Sequence, residues 1–123
     1  MIPLDKTTRK LQIVLTSSPA TQSDVVLSYY DTPREKKEGN EEYPRRLQIA
    51  TSNSTTDVDI CDAPGRYDVV RNIEHICVYN KHSASVTVVI KIDDGGTEAI
   101  LLKQTLAAEE SLVYEATGGW QVL

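Results

Sequence analysis

The chain has 123 residues and a mass of 13.7 kDa, which is the size of one domain. Its 13 basic and 18 acidic residues give a net charge of −5, which argues against a dedicated nucleic-acid-binding protein, because phosphate contacts need a basic face. A hydrophobic share of 40% and a charged share of 25% are typical of a globular domain. Residues 1–24 contain no apolar run of signal-peptide length, so we expect no secretory signal, no membrane span and synthesis in reducing cytoplasm.

The first thirty residues predict an irregular start followed by two strands. Residues 1–10 are predicted to form an irregular N-terminal arm, which is either a frayed end or a segment that reaches a neighbouring molecule. Short apolar runs at residues 11–15 and 25–30 predict strands, and Pro19 between them interrupts any continuous ladder.

Residues 31–46 differ in composition from the rest of the chain. Ten of these sixteen residues are charged, five acidic and five basic, and Pro33, Gly39 and Pro44 prevent a regular element. The segment is predicted to be a long exposed loop. Two interpretations stay open, a solvated loop and a docking loop that becomes ordered on a partner.

The middle of the chain predicts three further strands. Residues 47–51 and 58–61 are short strand patterns, and residues 63–65 are a turn. Residues 68–80 predict a long strand in which the alternation of apolar side chains slips near Asn72. One extra residue in a strand is typical of a β-bulge.

The clearest pattern lies at residues 85–93, where Val86, Val88, Ile90 and Ile92 share one face. The following Asp-Gly-Gly at 94–96 predicts a hairpin turn into a strand at 97–105. Strands at 111–115 and 120–123 follow, so the last forty residues are predicted to form a four-stranded β-meander.

These elements define the expected fold class. About eight strands are predicted, with turns every 8–12 residues and no helical period, and 33 of the 123 residues are Val, Ile or Thr, which favour sheets. We therefore expect an all-β protein, with residues 1–123 forming a single antiparallel β-sandwich or jelly-roll-like domain.

The two cysteines, Cys61 and Cys77, both lie in predicted strands. A disulfide across neighbouring strands is one interpretation, and two buried thiols are favoured because the cytoplasm is reducing. His75 and Cys77 share a strand face, but no CxxC or HxxxH spacing supports a zinc site.

The remaining motifs do not favour catalysis. Asp57, Asp59 and Asp62 alternate like the solvent face of a strand, and Asp93 and Asp94 are ordinary turn residues, so calcium binding is not favoured. The sequence lacks a GxSxG elbow, an HExxH motif and a phosphate-binding glycine loop. We therefore predict no enzymatic activity, no catalytic, cofactor-binding or metal-binding residues, and no cofactor.

The pattern of strands and turns resembles small virion proteins of tailed bacteriophages. The resemblance is carried by the succession "strand, Asn, strand, TLAxxESLxY, GW", which this chain has at residues 70–73, 78–80, 86–90, 105–114 and 118–122. Residues 7–15 and 28–31 resemble the N-terminal half of the same group. The chain departs from the pattern at Glu109, where such sequences often have glycine, and in the charged segment 31–46.

The resemblance implies a non-enzymatic virion structural protein, made in the host cytoplasm and assembled into the virion, that acts as a capsid decoration or cement protein. Its implied partners are the major capsid protein or other virion proteins, and a homo-oligomer, a trimer or a dimer, is the natural arrangement on a symmetric shell. We expect the arm and the 31–46 loop to make the contacts. The candidate contact residues are Lys6, Arg9, Lys10, Tyr29, Tyr30, Arg34, Lys36, Lys37, Tyr43, Arg45 and Arg46.

Two other functions stay open at this point. The first is a phage protein of the neck or tail, which forms a ring or attaches fibres, instead of a protein of the head. A carbohydrate-binding β-sandwich requires exposed aromatic rings for sugar stacking, and Tyr114 and Trp120 are the candidates for it. The same two rings are equally consistent with closing the core.

Overall fold

The computed structural model describes residues 1–35 and 43–123, and within these ranges the chain forms ten β-strands and no helix. The strands are β1 (Ile2–Leu4), β2 (Arg9–Leu15), β3 (Ser23–Pro33), β4 (Arg46–Ser52), β5 (Val58–Cys61), β6 (Val69–Tyr79), β7 (Val86–Asp94), β8 (Thr97–Leu106), β9 (Ser111–Glu115) and β10 (Gly119–Val122).

The strands form two antiparallel sheets that pack face to face. Sheet A has the order β10-β9-β6-β3-β4, with β1 also paired to β6, and sheet B has the order β5-β2-β7-β8. The core lies between them, where Leu27 and Ile76 of sheet A and Ile13 and Ile90 of sheet B have no exposed surface. The predicted all-β sandwich is confirmed, and the jelly-roll topology stays a prediction.

The four C-terminal strands are present, but they do not form one meander. Strands β7 and β8 form a hairpin in sheet B, with Gly95 and Gly96 at φ values of 61° and 102° in its two-residue turn. Strands β9 and β10 form a second hairpin in sheet A, where β9 pairs with β6. The predicted meander is wrong because residues 107–110 connect β8 in sheet B to β9 in sheet A. Each hairpin can therefore pack an apolar face against the core between the sheets.

The N-terminal arm is partly regular. Ile2, Pro3 and Leu4 pair with residues 71–73 of β6, and the Leu4 side chain is fully buried. The prediction of an irregular arm over residues 1–10 is therefore wrong for residues 2–4, because a three-residue strand is too short to show a period. It is also wrong for Arg9 and Lys10, which begin β2.

The predicted bulge in the long strand is confirmed. The register between β3 and β6 shifts so that Ser28 lies opposite His75 while Tyr29 lies opposite Ile73. Glu74 is therefore the extra residue, two positions after Asn72.

Asn80 links two connections at one end of the sandwich. Its fully buried side-chain amide donates to the carbonyls of Ala84, Leu106 and Ala107 at 3.0, 3.2 and 3.0 Å, and its Oδ1 accepts from the backbone N–H of His82 at 2.9 Å. The turn after β6 and the crossing connection after β8 are thus held by one side chain.

Glu109 has a backbone conformation that favours glycine. Its φ is 65°, in the left-handed region that costs a non-glycine residue about 1 kcal/mol. We expect Glu109→Gly to raise the free energy of unfolding by up to about 1 kcal/mol, as measured by urea denaturation. Glu110→Gly is the matched control and should lower stability, because the Glu110 carboxylate accepts a hydrogen bond from the Ala107 N–H at 2.9 Å. A loss of stability in both variants would contradict the strain at position 109.

Candidate interaction surface

The basic residues of the N-terminal segment are engaged in ion pairs with their own chain. Arg9 pairs with Asp5 at 2.5 Å and with Asp94 at 3.0 Å, and Lys6 lies 3.9 Å from Asp94. The hydrogen bonds that Arg9 donates to Asp94 and Asp5 raise the pKa of Arg9, and the hydrogen bonds that Thr8 and Arg9 donate to Asp94 lower the pKa of its carboxyl. The segment between β1 and β2 is therefore fastened to the β7–β8 hairpin.

Lys10 lies on the outer face of sheet B, away from the other arm residues. Its Nζ is 3.1 Å from Asp59, which also accepts a hydrogen bond from Gln12 at 2.7 Å. The hydrogen bond to Asp59 raises the pKa of Lys10. Burial alone would raise the pKa of Asp59, but its hydrogen bonds with Gln12 and Lys10 keep that pKa below the usual value.

Tyr29 and Tyr30 lie on opposite faces of β3, and each ring is covered by an arginine. The Arg71 guanidinium lies 4.3 Å from the centre of the Tyr29 ring, and Arg45 lies 4.1 Å from the centre of the Tyr30 ring. Tyr29 packs against the core, so its assignment as a partner contact is not supported by its position. Tyr30 contacts the N-terminal segment instead, because its hydroxyl donates to the Met1 Sδ at 3.5 Å.

Arg34 joins the start of the charged loop to two other segments. Its Nε donates to the Tyr67 carbonyl at 2.9 Å, its Nη2 donates to the Asp5 carbonyl, and its backbone N–H donates to the Asp68 carbonyl at 2.8 Å. A depression of about 270 Å³ lies here, lined by Pro33, Arg34, Glu35, Tyr67 and Asp68. Tyr67 is 82% exposed, the largest exposure among the large apolar and aromatic side chains of the described ranges.

The far end of the charged loop lies on sheet A. The Arg45 Nε is 2.7 Å from the Glu74 carboxylate, and its Nη1 donates to the Tyr43 carbonyl at 2.9 Å. Arg46 is exposed at the start of β4, and β3 extends to Pro33. Residues 31–33 and 46 therefore lie in strands, and the predicted loop bounds of 31–46 are wrong at both ends. Lys36 and Lys37 lie outside the described residues.

The structure thus brings the N-terminal segment and both described ends of the charged loop together. The bonds from Tyr30 to Met1 and from Arg34 to Asp5 join them, and β1 connects Met1 to Asp5 along the chain. We call this region the arm–loop surface. Its residues are Met1, Asp5, Tyr30, Arg34, Arg45 and Tyr67.

Tyr67 is a member of the arm–loop surface that the sequence interpretation did not single out. It follows the turn at residues 63–65 and precedes the strand pattern, so no periodicity assigned it to a face. The available signal was an aromatic residue placed outside any strand, where it has no sheet face to bury against.

The described residues do not suggest a metal or sugar site. Within residues 1–35 and 43–123, no three His, Cys, Asp or Glu side chains group closely enough to hold a metal ion, and no helix is long and apolar enough to cross a membrane. The ring centres of Tyr114 and Trp120 lie 4.9 Å apart with their planes tilted by 47°, and both rings pack against the core, where Tyr114 is only 6% exposed. Tyr114 therefore lacks the open ring face that sugar stacking requires, and Trp120 is partly buried against the same core.

The two cysteines are free thiols on strands of different sheets. Burial raises the pKa of Cys61 to about 12, whereas Cys77 is half-buried on the outer face of sheet A. Because the thiolate is the reactive form, we expect iodoacetamide to label Cys77 and to leave Cys61 unmodified in the native protein, as read by peptide mass spectrometry. Unfolding in urea is the control and should expose both. Equal labelling of the two in the native protein would contradict the burial of Cys61.

We compared the chain with protein-family models, with curated proteins and with solved structures, and none of these comparisons gave a match.

Proposed function

We propose that this chain is a non-enzymatic structural protein of a tailed-phage virion, acting as a capsid decoration or cement protein that docks on the head through its arm–loop surface. The proposal starts from the resemblance of the sequence to small virion proteins of these phages. The observation that carries the docking site is the meeting of the N-terminal segment and the charged loop at one end of the sandwich.

The arm–loop surface has the features of a protein-binding surface. Tyr67 offers a large ring that is 82% exposed, next to the depression at Arg34. Aromatic and arginine side chains contribute disproportionately to protein interfaces. The hydrogen bonds of Arg34 to the backbone carbonyls of Asp5 and Tyr67 hold Arg34 and these two backbone segments in place before binding, which lowers the entropy lost when a partner docks.

A decoration protein acts through repetition. Each copy contributes a weak contact with the major capsid protein or a neighbouring virion protein, and the symmetric shell repeats that contact many times. A homo-oligomer strengthens the attachment further, because the second contact of a linked pair is effectively intramolecular.

The test is attachment to particles that have been stripped of this chain. We expect Tyr67→Ala and Arg34→Ala each to weaken co-sedimentation with such particles by about tenfold or more, because they remove the exposed ring and the side chain that joins the backbone at Asp5 and Tyr67. Lys81→Ala is the control, since Lys81 lies beyond the opposite end of β6 and pairs with Asp24 at 3.0 Å. Attachment equal to that of the control in both variants would overturn the docking site.

A further inference from the structure

Strand β8 is the longest exposed edge of the sandwich. It spans Thr97–Leu106 and, in the part of the chain that the structure describes, it pairs only with β7. The other terminal strands, β1, β4, β5 and β10, have three, seven, four and four residues. An edge strand leaves a row of backbone N–H and C=O groups free to pair, and short edges are less able to do so.

The side chains of β8 leave this edge apolar at its centre. Ile100 is 67% exposed and Leu101 is 40% exposed, and both lie in the middle of the strand. Natural edge strands are usually protected by several charges or by proline. Here Glu98 and Lys103 are the charged residues of the strand, and they flank the apolar pair.

We infer that β8 pairs with β8 of a second copy of this chain, in an antiparallel register that gives a two-fold symmetric dimer. The two four-stranded sheets then form one continuous sheet of eight strands. This inference does not rest on the proposed function, because it depends on the edge strand alone.

Charge complementarity selects the register. With Ile100 opposite Leu101 of the partner subunit, Glu98 lies opposite Lys103 of the partner subunit, and symmetry repeats the pair. Lys103 makes no ion pair within residues 1–35 and 43–123, while Glu98 also contacts Lys91 at 3.0 Å. A lone lysine on an edge discourages pairing, but in this register each Lys103 faces Glu98 of the other copy.

The bulge in β8 makes this register consistent with the two faces of the sheet. The pairing with β7 places Glu98 and Lys103 on the outer face and Ala99 and Leu102 on the core face, with Leu101 left over between Ile90 and Lys91. In the proposed register Ala99 lies opposite Leu102, so core-facing residues meet each other. Residues that lie directly opposite each other in an antiparallel pair are on the same face of the sheet. Without the extra residue, Glu98 would share a face with Leu102 and Lys103 would lie on the other face, so Glu98 and Lys103 could not lie opposite each other in a two-fold pairing.

The alternative edge at β4 lacks this complementarity. Arg46 is its single charged residue, and self-pairing would give it no acidic partner within the strand. Part of β4 is also covered, because its Gln48 side chain accepts a hydrogen bond from the Asp62 N–H at 3.1 Å.

The experiment measures the mass of the isolated full chain by sedimentation equilibrium, with three charge variants. We expect the unchanged chain to sediment at twice 13.7 kDa at micromolar concentrations. Lys103→Glu and Glu98→Lys each create two like-charge pairs and should raise the dissociation constant of the dimer roughly tenfold or more. Lys81→Glu changes the net charge as Lys103→Glu does, lies outside β8, and should leave the dimer intact.

An equimolar mixture of the two β8 variants provides the decisive measurement. One copy then carries two basic side chains at positions 98 and 103 and the other carries two acidic ones, so both pairs become complementary and a mixed dimer should form. A monomer or a trimer in the unchanged chain would overturn the inference, as would a dimer that both β8 variants leave intact or a mixture that does not reassociate. Because no virion particle is present, these outcomes are independent of the docking test.

Discussion

Replacing Asn80 by alanine is expected to lower the free energy of unfolding by about 3 kcal/mol. The Asn80 side chain is fully buried and serves four backbone groups in two connections. Its removal leaves carbonyl groups and an N–H without their partner in a buried region, where each unsatisfied group costs about 1 to 3 kcal/mol before relaxation or entry of water. Urea denaturation followed by tryptophan fluorescence measures the loss, with Trp120 as the reporter.

Two further variants sharpen this prediction. Asn53→Ala removes an asparagine that lies outside the strands and forms no side-chain hydrogen bond with the described residues, so it should cost less than about 0.5 kcal/mol. Asn80→Asp keeps the shape and replaces the donor by a carboxylate oxygen facing three carbonyls, so it should cost at least as much as the alanine variant. A cost below about 1 kcal/mol for Asn80→Ala would contradict its role in linking the two connections.

Replacing Ile90 by alanine is expected to cost about 4 kcal/mol of stability. Ile90 lies in the centre of β7, between β2 and β8, and its side chain has no exposed surface. Truncation removes three carbon atoms from a packed core and leaves a cavity, which adds to the lost burial energy. Thermal and urea unfolding monitored by circular dichroism measure the difference.

Ile49→Ala is the matched control, because it is the same chemical change on the outer face of sheet A. Ile49 is 72% exposed, so its truncation should cost less than about 1 kcal/mol, mainly through reduced β-propensity. Similar losses for Ile90 and Ile49 would contradict the assignment of the two faces.

The sequence predicted the strands well where the alternation was long. Val86, Val88 and Ile90 were assigned to one face from their period alone, and all three are buried. The bulge near Asn72 was also readable, because an extra residue changes the phase of the apolar positions. Strand β1 could not be predicted from the sequence, because three residues cannot establish a period.

Strand pairing was harder to predict than strand position. Alternation shows which side chains face a core, but not which strand lies alongside. Residues 107–110 resemble an ordinary hairpin connection in the sequence, yet they lead from β8 in sheet B to β9 in sheet A. The long-range pairing of β9 with β6 and the hydrogen bonds of Asn80 determine this route, and neither is local in sequence.

The arm–loop surface was predictable in part. The N-terminal segment and the charged loop were singled out separately, and their contact through Arg34 and Asp5 required the fold. Charge density overstated the freedom of Arg9 and Lys10, because acidic partners from distant strands pair with both. Tyr67 was missed since its exposure depends on how the turn before β6 is placed.

The residues that carry the resemblance to phage virion proteins have a structural explanation in this chain. Asn80 binds the carbonyls of Leu106 and Ala107, and Glu110 caps the same connection through the Ala107 N–H. The Asn and TLAxxE parts of the pattern therefore describe how two connections are held. The fold alone explains this part of the pattern, and the virion assignment is therefore tested on particles.

That test is the copy number of this chain in virus particles purified from cultures that carry its coding sequence, measured by quantitative mass spectrometry relative to the major capsid protein. Our account predicts a number comparable with that of the major capsid protein, because a decoration protein repeats its contact over the whole shell. About a dozen copies would contradict the decoration role and indicate a neck or tail ring. Absence from the particles would contradict the virion assignment itself.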